Sequence, residues 1–301
     1  MVCPVCNMSL DSNVKSCENH RILFEEKEMV YSIFECPNCK SEFANPLTPP
    51  PDSWYINMDE YYGWRWEFDK ASKDIMENVP KGDILEIGCG QGIFLERLES
   101  QFNVYGIDVN TTSIEVAQKK GLKVYACRLE NIIQYGLPRE FDIITFFNLL
   151  EHIDNPRGFI SSVNKLVKPG GLVMMSVPNM ERASRKLWKE IWDMPPHHLV
   201  RYSREGLKIL LDECGFDTVK TELEPGNIMI QVIFFIEELV IKTVNPLKIN
   251  NKKMRLTIKA VLRLVYLLPA LIFYAVKRAI HGKELQGKEG MTLYLLARKK
   301  V

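Results

Sequence analysis

Residues 84 to 95, I-L-E-I-G-C-G-Q-G-I-F-L, constrain the fold of this chain more than any other stretch. An apolar run reads as a buried strand, a turn carrying Gly88, Gly90 and Gly92 follows, and the next residues have a helical pattern. The glycines remove side chains where a ligand must approach the backbone. Glu86 sits inside the apolar run, where a carboxylate is unfavourable unless it has a task. A strand, a glycine turn and a helix in this order place a nucleotide-like cofactor at the C-terminal edge of a parallel sheet.

The rest of the chain can supply that sheet. Strand patterns fall at 83–88, 103–108, 122–126, 141–147, 171–177 and 216–223, with helical patterns at 91–100, 111–120, 156–167 and 203–214. Such alternation implies parallel strands covered by helices on both faces. A last strand is predicted over 291–298. Around this core the composition changes three times. Residues 1–45 hold five cysteines, 46–60 form a proline-rich linker, and 225–290, inside the main 61–301 domain, are apolar and basic.

With 46% hydrophobic and 26% charged residues among 301, the chain can bury a sizeable core without covalent staples. The net charge of +1 gives no global pull toward nucleic acid. The opening Met1-Val2-Cys3-Pro4 lacks the basic and apolar character of an export signal, so a cytoplasmic location is expected. Eight cysteines then read as thiols or metal ligands rather than disulfides.

Cys3-x-x-Cys6 and Cys36-x-x-Cys39 form two knuckles, each with a proline, as suits a tight turn presenting two thiolates. Together they predict a four-sulfur structural zinc site with no open position for catalysis. Cys17-x-x-His20 is a third pair. It reads as a solvated loop, or as the partner of Cys3 and Cys6 in place of the second knuckle. A ribbon this small cannot fold on apolar burial alone, so the metal would be its core.

A bare glycine-rich turn also suits a nicotinamide cofactor. The run E-I-G-C-G-Q-G, with its carboxylate two residues before the first glycine, resembles motif I of class I S-adenosylmethionine-dependent methyltransferases. The strand V-Y-G-I-D-V, the segment F-D-I-I-T-F-F-N-L-L-E-H-I and the run L-V-K-P-G-G-L-V-M-M-S-V-P-N resemble the family's later landmarks, in order, over residues 80–224. C-P-N-C-K-S-E-F-A-N-P, the proline linker and E-Y-Y resemble a subgroup that carries a zinc ribbon. The resemblance implies a Rossmann-like seven-stranded α/β sheet with an antiparallel last strand and S-adenosylmethionine as cofactor. It assigns Asp108, with Val109 beside it, to the ribose diol and the turn of Gly88, Cys89, Gly90 and Gly92 to the amino-acid end, with Glu86 acting through the turn backbone or a water rather than directly. Arg128 stands where the family carries an acid, which leaves Leu129 and Glu130 to meet the adenine.

On the acceptor side, His152 lies just past the fourth strand and reads as a general base or as the anchor of its loop. Asn148 would line the same cleft. His197 and His198 follow a Trp-containing stretch, Trp188 and Trp192, and precede a helix capped by Ser203. They read as base or substrate contacts, or as a packed lid. Cys89 and Cys214 read as packing residues rather than nucleophiles. No N-P-P-F/Y run follows the fourth strand, which weakens methylation of nucleobase amino groups.

The 225–290 insert has an apolar run of 260–276, shorter than the roughly 20 residues that span a bilayer. Flanking Lys252, Lys253, Arg255, Lys277 and Arg278 suit a helix lying in an anionic membrane surface. A lid over the cleft or a homodimer interface is the alternative. The leading expectation is O-methylation of a small-molecule, sugar or lipid-linked acceptor. The alternatives are an RNA methyltransferase that grips its substrate with the ribbon, and a ribbon-bearing binding protein with a vestigial fold. Near-neutral charge speaks against the first. Retention of Glu86, the glycines and Asp108 speaks against the second.

Overall fold

The computed structural model describes residues 1–11, 16–24, 27–51, 54, 63–182, 185, 191–226, 232–233, 236, 239–240, 243–244, 247, 252–285 and 290–301. The E-Y-Y run, Trp188 and much of 227–250 lie outside these residues.

The N-terminal segment forms β1 (Glu18–Phe24), β2 (Lys27–Glu35) and β3 (Glu42–Asn45), antiparallel in that order. His20 therefore enters a strand rather than a solvated loop, because β1 finds a full partner in β2, and Cys17 directly precedes that strand with its amide on Ile33 O at 2.8 Å. Helix α1 (Trp66–Asn78) leads into β4 (Asp83–Ile87), and α2 (Ile93–Leu98) follows the glycine turn. The alternation continues through β5 (Asn103–Asp108), α3 (Thr111–Lys119), β6 (Lys123–Ala126), β7 (Phe141–Phe147), α4 (Pro156–Leu166) and β8 (Val167–Pro178). The caps of α3 and α4 come from asparagines. Asn110 accepts the amide of Ser113 and Asn155 that of Gly158, each at 3.0 Å, and so satisfy otherwise unpaired first-turn donors.

After β8 come β9 (Val200–Arg201), α5 (Arg204–Glu213), β10 (Phe216–Leu223), α6 (Lys252–Leu285) and β11 (Thr292–Lys299). The main sheet has seven strands in the order β10-β11-β8-β7-β4-β5-β6. β4, β5, β6, β7 and β8 pair in parallel, and β11 runs antiparallel to β8. Strand order reverses between the parallel neighbours β4 and β7, which opens a crevice at their C-terminal ends. Phe68, Phe94 and Phe147 close the core beneath it, their ring centroids 5.1–5.2 Å apart. Asp74 of α1 accepts the Tyr294 hydroxyl at 2.8 Å and Lys220 at 3.0 Å, fastening α1 to the antiparallel side of the sheet.

The chain divides into two compact units. One comprises Met1–Asn179, Met194–Glu222 and Thr292–Val301, and the other Met180–Asp193 and Leu223–Met291. In the second, Ile258, Leu262, Tyr266, Ala270 and Leu271 of α6 pack against Val232, Ile236, Val240 and Val244. Other apolar side chains of α6 are exposed, Leu264 at 74% and Leu268 at 66%. Within α6, Leu256–Phe273 is long and apolar enough to cross a membrane, with almost none of it buried.

Candidate active site

The glycine turn is fixed by β5. The amides of Gly88 and Cys89 both donate to Ile107 O, at 2.8 and 3.1 Å. The Gly90 amide donates to Asp108 Oδ2 at 2.8 Å, and Asn110 N donates to Oδ1 at 2.8 Å. Gly90 has a φ of +50°, and a Cβ there would meet nothing within 4 Å, so its backbone face is open. Gly92 serves differently from the ligand-approach role expected of it. Its Cβ would meet Leu122 Cδ1 at 2.4 Å, and it does not line the cavity. That glycine lets α2 pack closely on the segment after α3.

A cavity of about 380 Å³ opens over this turn, at the edge formed by β4, β5 and β7. Glu86, Gly88, Cys89, Gly90, Asp108, Val109, Leu129, Glu130, Asn148, His152 and His197 all line it. Glu86 is buried with Oε2 lacking a hydrogen-bond partner. Burial pushes its carboxyl well above the usual range, against the pull of Arg65 and with a push from Asp108. Burial also raises Asp108, opposed by the amides of Asn110, Gly90 and Val109. Two carboxyls in one dry wall suit a cationic, hydroxyl-bearing ligand.

Arg65 and Phe68 also line the cavity, and the sequence reading missed both. The signal was the W-R-W-E run directly after the linker. Glu67, buried at the start of α1, accepts the Asn148 side chain at 2.9 Å and lies 3.5 Å from Arg65. Asn148, with a φ of +46°, is further held by its amide on Ser176 O at 2.9 Å.

The histidines form one cluster. Ring centroids of His152 and His197 are 4.6 Å apart, those of His152 and His198 4.8 Å. Burial, then the neighbouring His198 and His197, hold His152 well below its usual pKa, so it is neutral at physiological pH. His198 is buried and lies outside the cavity lining, and therefore makes no direct wall for an acceptor.

The four knuckle cysteines converge, with their sulfurs all within 4.8 Å of one another. Cys3 Sγ lies 3.7 Å from Cys39 Sγ and Cys6 Sγ 3.5 Å from Cys36 Sγ. Zinc–sulfur bonds of about 2.3 Å put tetrahedral sulfurs roughly 3.8 Å apart, so the donor set fits zinc. Cys39 is pushed down to about 5 by its contact with Cys3, and backbone amides of Val5 and Cys6 face the Cys3 sulfur. Cys17 is apart from the cluster, its thiol donating to Ile33 O at 3.1 Å.

A parallel sheet with one antiparallel strand, a glycine turn braced by an acid and a cavity at the strand reversal define the class I methyltransferase fold. The chain belongs to the methyltransferase-domain family, whose model matches residues 62–221. It is 32% identical over 103 residues to a ubiquinone biosynthesis O-methyltransferase of Leptothrix cholodnii, covering 32% of this chain and 44% of that one. A Pseudomonas aeruginosa protein of the same name is 35% identical over 102 residues, with 32% and 44% covered. The matches thus span less than half the length of these relatives. Among solved structures, a candidate sarcosine dimethylglycine methyltransferase from Galdieria sulphuraria superimposes with a TM-score of 0.51. It is 13% identical, and the match covers 78% of this chain and 85% of that one. Phosphoethanolamine N-methyltransferase 2 of Haemonchus contortus, in complex with S-adenosyl-L-methionine, gives 0.50 at 16% identity over 83% and 56%.

Proposed function

We propose that the protein transfers a methyl group from S-adenosylmethionine to a hydroxyl of a small-molecule, sugar or lipid-linked acceptor. The observation that carries this reading is the pairing of an unpartnered, buried Glu86 oxygen with the open Gly90 backbone and the braced Asp108 in one cavity. The cofactor supplies a methyl on a positively charged sulfur. Glu86 sets negative charge where the cationic end is received. Asp108 keeps a lone pair on each oxygen, beyond those used by Gly90 and Asn110, for the ribose diol. Leu129 and Glu130 line the adenine side. Alignment of acceptor oxygen, methyl carbon and sulfur supplies much of the rate. Activation of the acceptor hydroxyl falls to the histidines at the cavity edge.

Names of relatives that are O-methyltransferases support a hydroxyl acceptor. The exposed apolar surface of α6 supports an acceptor met at a membrane, by a cytoplasmic protein that lies on the bilayer. The convergent cysteines support a structural zinc ion in the ribbon. Calorimetry with S-adenosylmethionine and with NADH tests the cofactor, and binding of NADH alone would overturn the reading. Labelled cofactor offered with lipid, glycan and RNA fractions tests the acceptor. Label entering RNA alone would remove the hydroxyl-acceptor assignment.

A further inference from the structure

Three histidines from two segments form a donor set at the edge of the cavity. His152 ends a short 3-10 turn, Leu150–His152, and His197 and His198 come from the loop before β9. Their ligating nitrogens all lie within 4.8 Å of one another. His197 and His198 are only 8% and 4% exposed. His152 Nδ1 sits 2.6 Å from His197 O. In the tautomer that donates this bond, Nε2 carries the lone pair, and metal-binding histidines are held in this way by a backbone carbonyl. The two segments are fastened to each other. Leu199 N donates to Glu151 O at 2.8 Å, and the buried Tyr202 hydroxyl donates to Leu150 O at 3.1 Å. Buried Glu151 has Oε1 4.0 Å from His152 Nε2, so a carboxyl group stands beside the cluster.

We propose that His152, His197 and His198 hold a divalent ion of the zinc class at the acceptor side of the cavity, with one coordination position open to it. Imidazole donors select zinc, cobalt, nickel or iron, whereas magnesium and calcium prefer carboxylate and water oxygens. Three protein ligands and an exchangeable fourth position is the pattern of a reactive site, unlike the closed four-sulfur cluster of the ribbon. His152 and His197 line the cavity, which makes it the side from which an acceptor would reach the ion.

The purpose of the ion rests on the methyl-transfer reading, while its binding does not. An acceptor hydroxyl held at the open position loses its proton to water more readily. Its oxygen then bonds the methyl carbon as the carbon–sulfur bond breaks, and that electron pair stays on sulfur.

The test is a cobalt(II) titration of the full-length chain stripped with chelator, read by absorbance. Thiolate-to-cobalt charge transfer reports the cysteine cluster, and ligand-field bands without charge transfer report the histidines. The wild type should take up a second equivalent beyond the cysteine-bound one. The His197→Ala/His198→Ala variant should lose that equivalent alone, and Cys36→Ser should lose the charge-transfer signal alone. If the double variant does not fold, His198→Gln supplies the same comparison. Uptake of only the cysteine-bound equivalent, or a second equivalent kept in the folded histidine variants, overturns the proposal. A second equivalent in a protein that fails to bind S-adenosylmethionine would leave the metal site standing and remove the methyl-transfer reading.

Discussion

Asp108 Oδ2 accepts the amide of Gly90 at 2.8 Å, so the acid that ends β5 braces the turn that ends β4. The same carboxylate is the proposed ribose contact, so in that reading one group serves both ligand recognition and turn geometry. The second oxygen holds Asn110 N in the same way, just where α3 begins.

Removing that carboxylate leaves two amides without their acceptor as well as an ungripped ribose. Asp108→Ala is expected to weaken S-adenosylmethionine at least about tenfold, since each lost hydrogen bond is worth about 1 kcal/mol. Calorimetry on the folded variant measures it, and unchanged affinity would sink the ribose assignment.

Glu86 gives a prediction of opposite signs. Burial raises its folded-state pKa, so the folded protein binds this proton more tightly than the unfolded chain does. Stability from this group is therefore present below the ordinary carboxylate value and is lost as pH rises through the raised one. Glu86→Gln should melt higher than the wild type at neutral pH and yet bind S-adenosylmethionine more weakly. Wild-type affinity for the cationic cofactor should also rise with pH across that window, and a flat profile in Glu86→Gln is the control.

Gly92 should behave as a packing residue. Gly92→Ala meets both a φ of +72° and Leu122 at 2.4 Å. A loss of stability on the order of 2 kcal/mol is expected. Cofactor affinity of the folded fraction should stay near wild type. A large affinity loss without a change in melting would contradict this role.

Metal analysis should find zinc in the cysteine cluster, lost in Cys36→Ser together with a lower melting temperature. A variant that melts like the wild type would show that the ribbon does not depend on its metal.

The exposed face of α6 should bring the protein to anionic vesicles in flotation assays. Leu264→Asp with Leu268→Asp, at exposed positions, should abolish flotation without changing the melting temperature. A wild type that stays in the soluble fraction would exclude the membrane reading.

The strands of the main sheet were legible because each is a short apolar run between helix patterns, and the observed bounds differ by a residue or a few. Asp108 and the glycine turn were legible because they are local in sequence. What escaped depends on contacts between distant residues. Arg65 reaches the cavity from the start of α1, and the Gly92–Leu122 contact spans two helices and a strand. His152 and His197 each invited a separate reading, and their meeting follows from the Leu199–Glu151 backbone bond, which no local pattern announces.

Strand β9 has only two residues, and it pairs with β3 rather than with the main sheet. Arg201 bonds Glu42 at 2.8 Å, and Ser203, which caps α5, donates its hydroxyl to Cys39 O. The histidine loop therefore ends on the wall of the cysteine cluster. Protection of the amides of residues 194–203 against hydrogen exchange should follow metal occupancy of the thiolates, so loading of the ribbon would tune how often the histidine loop opens.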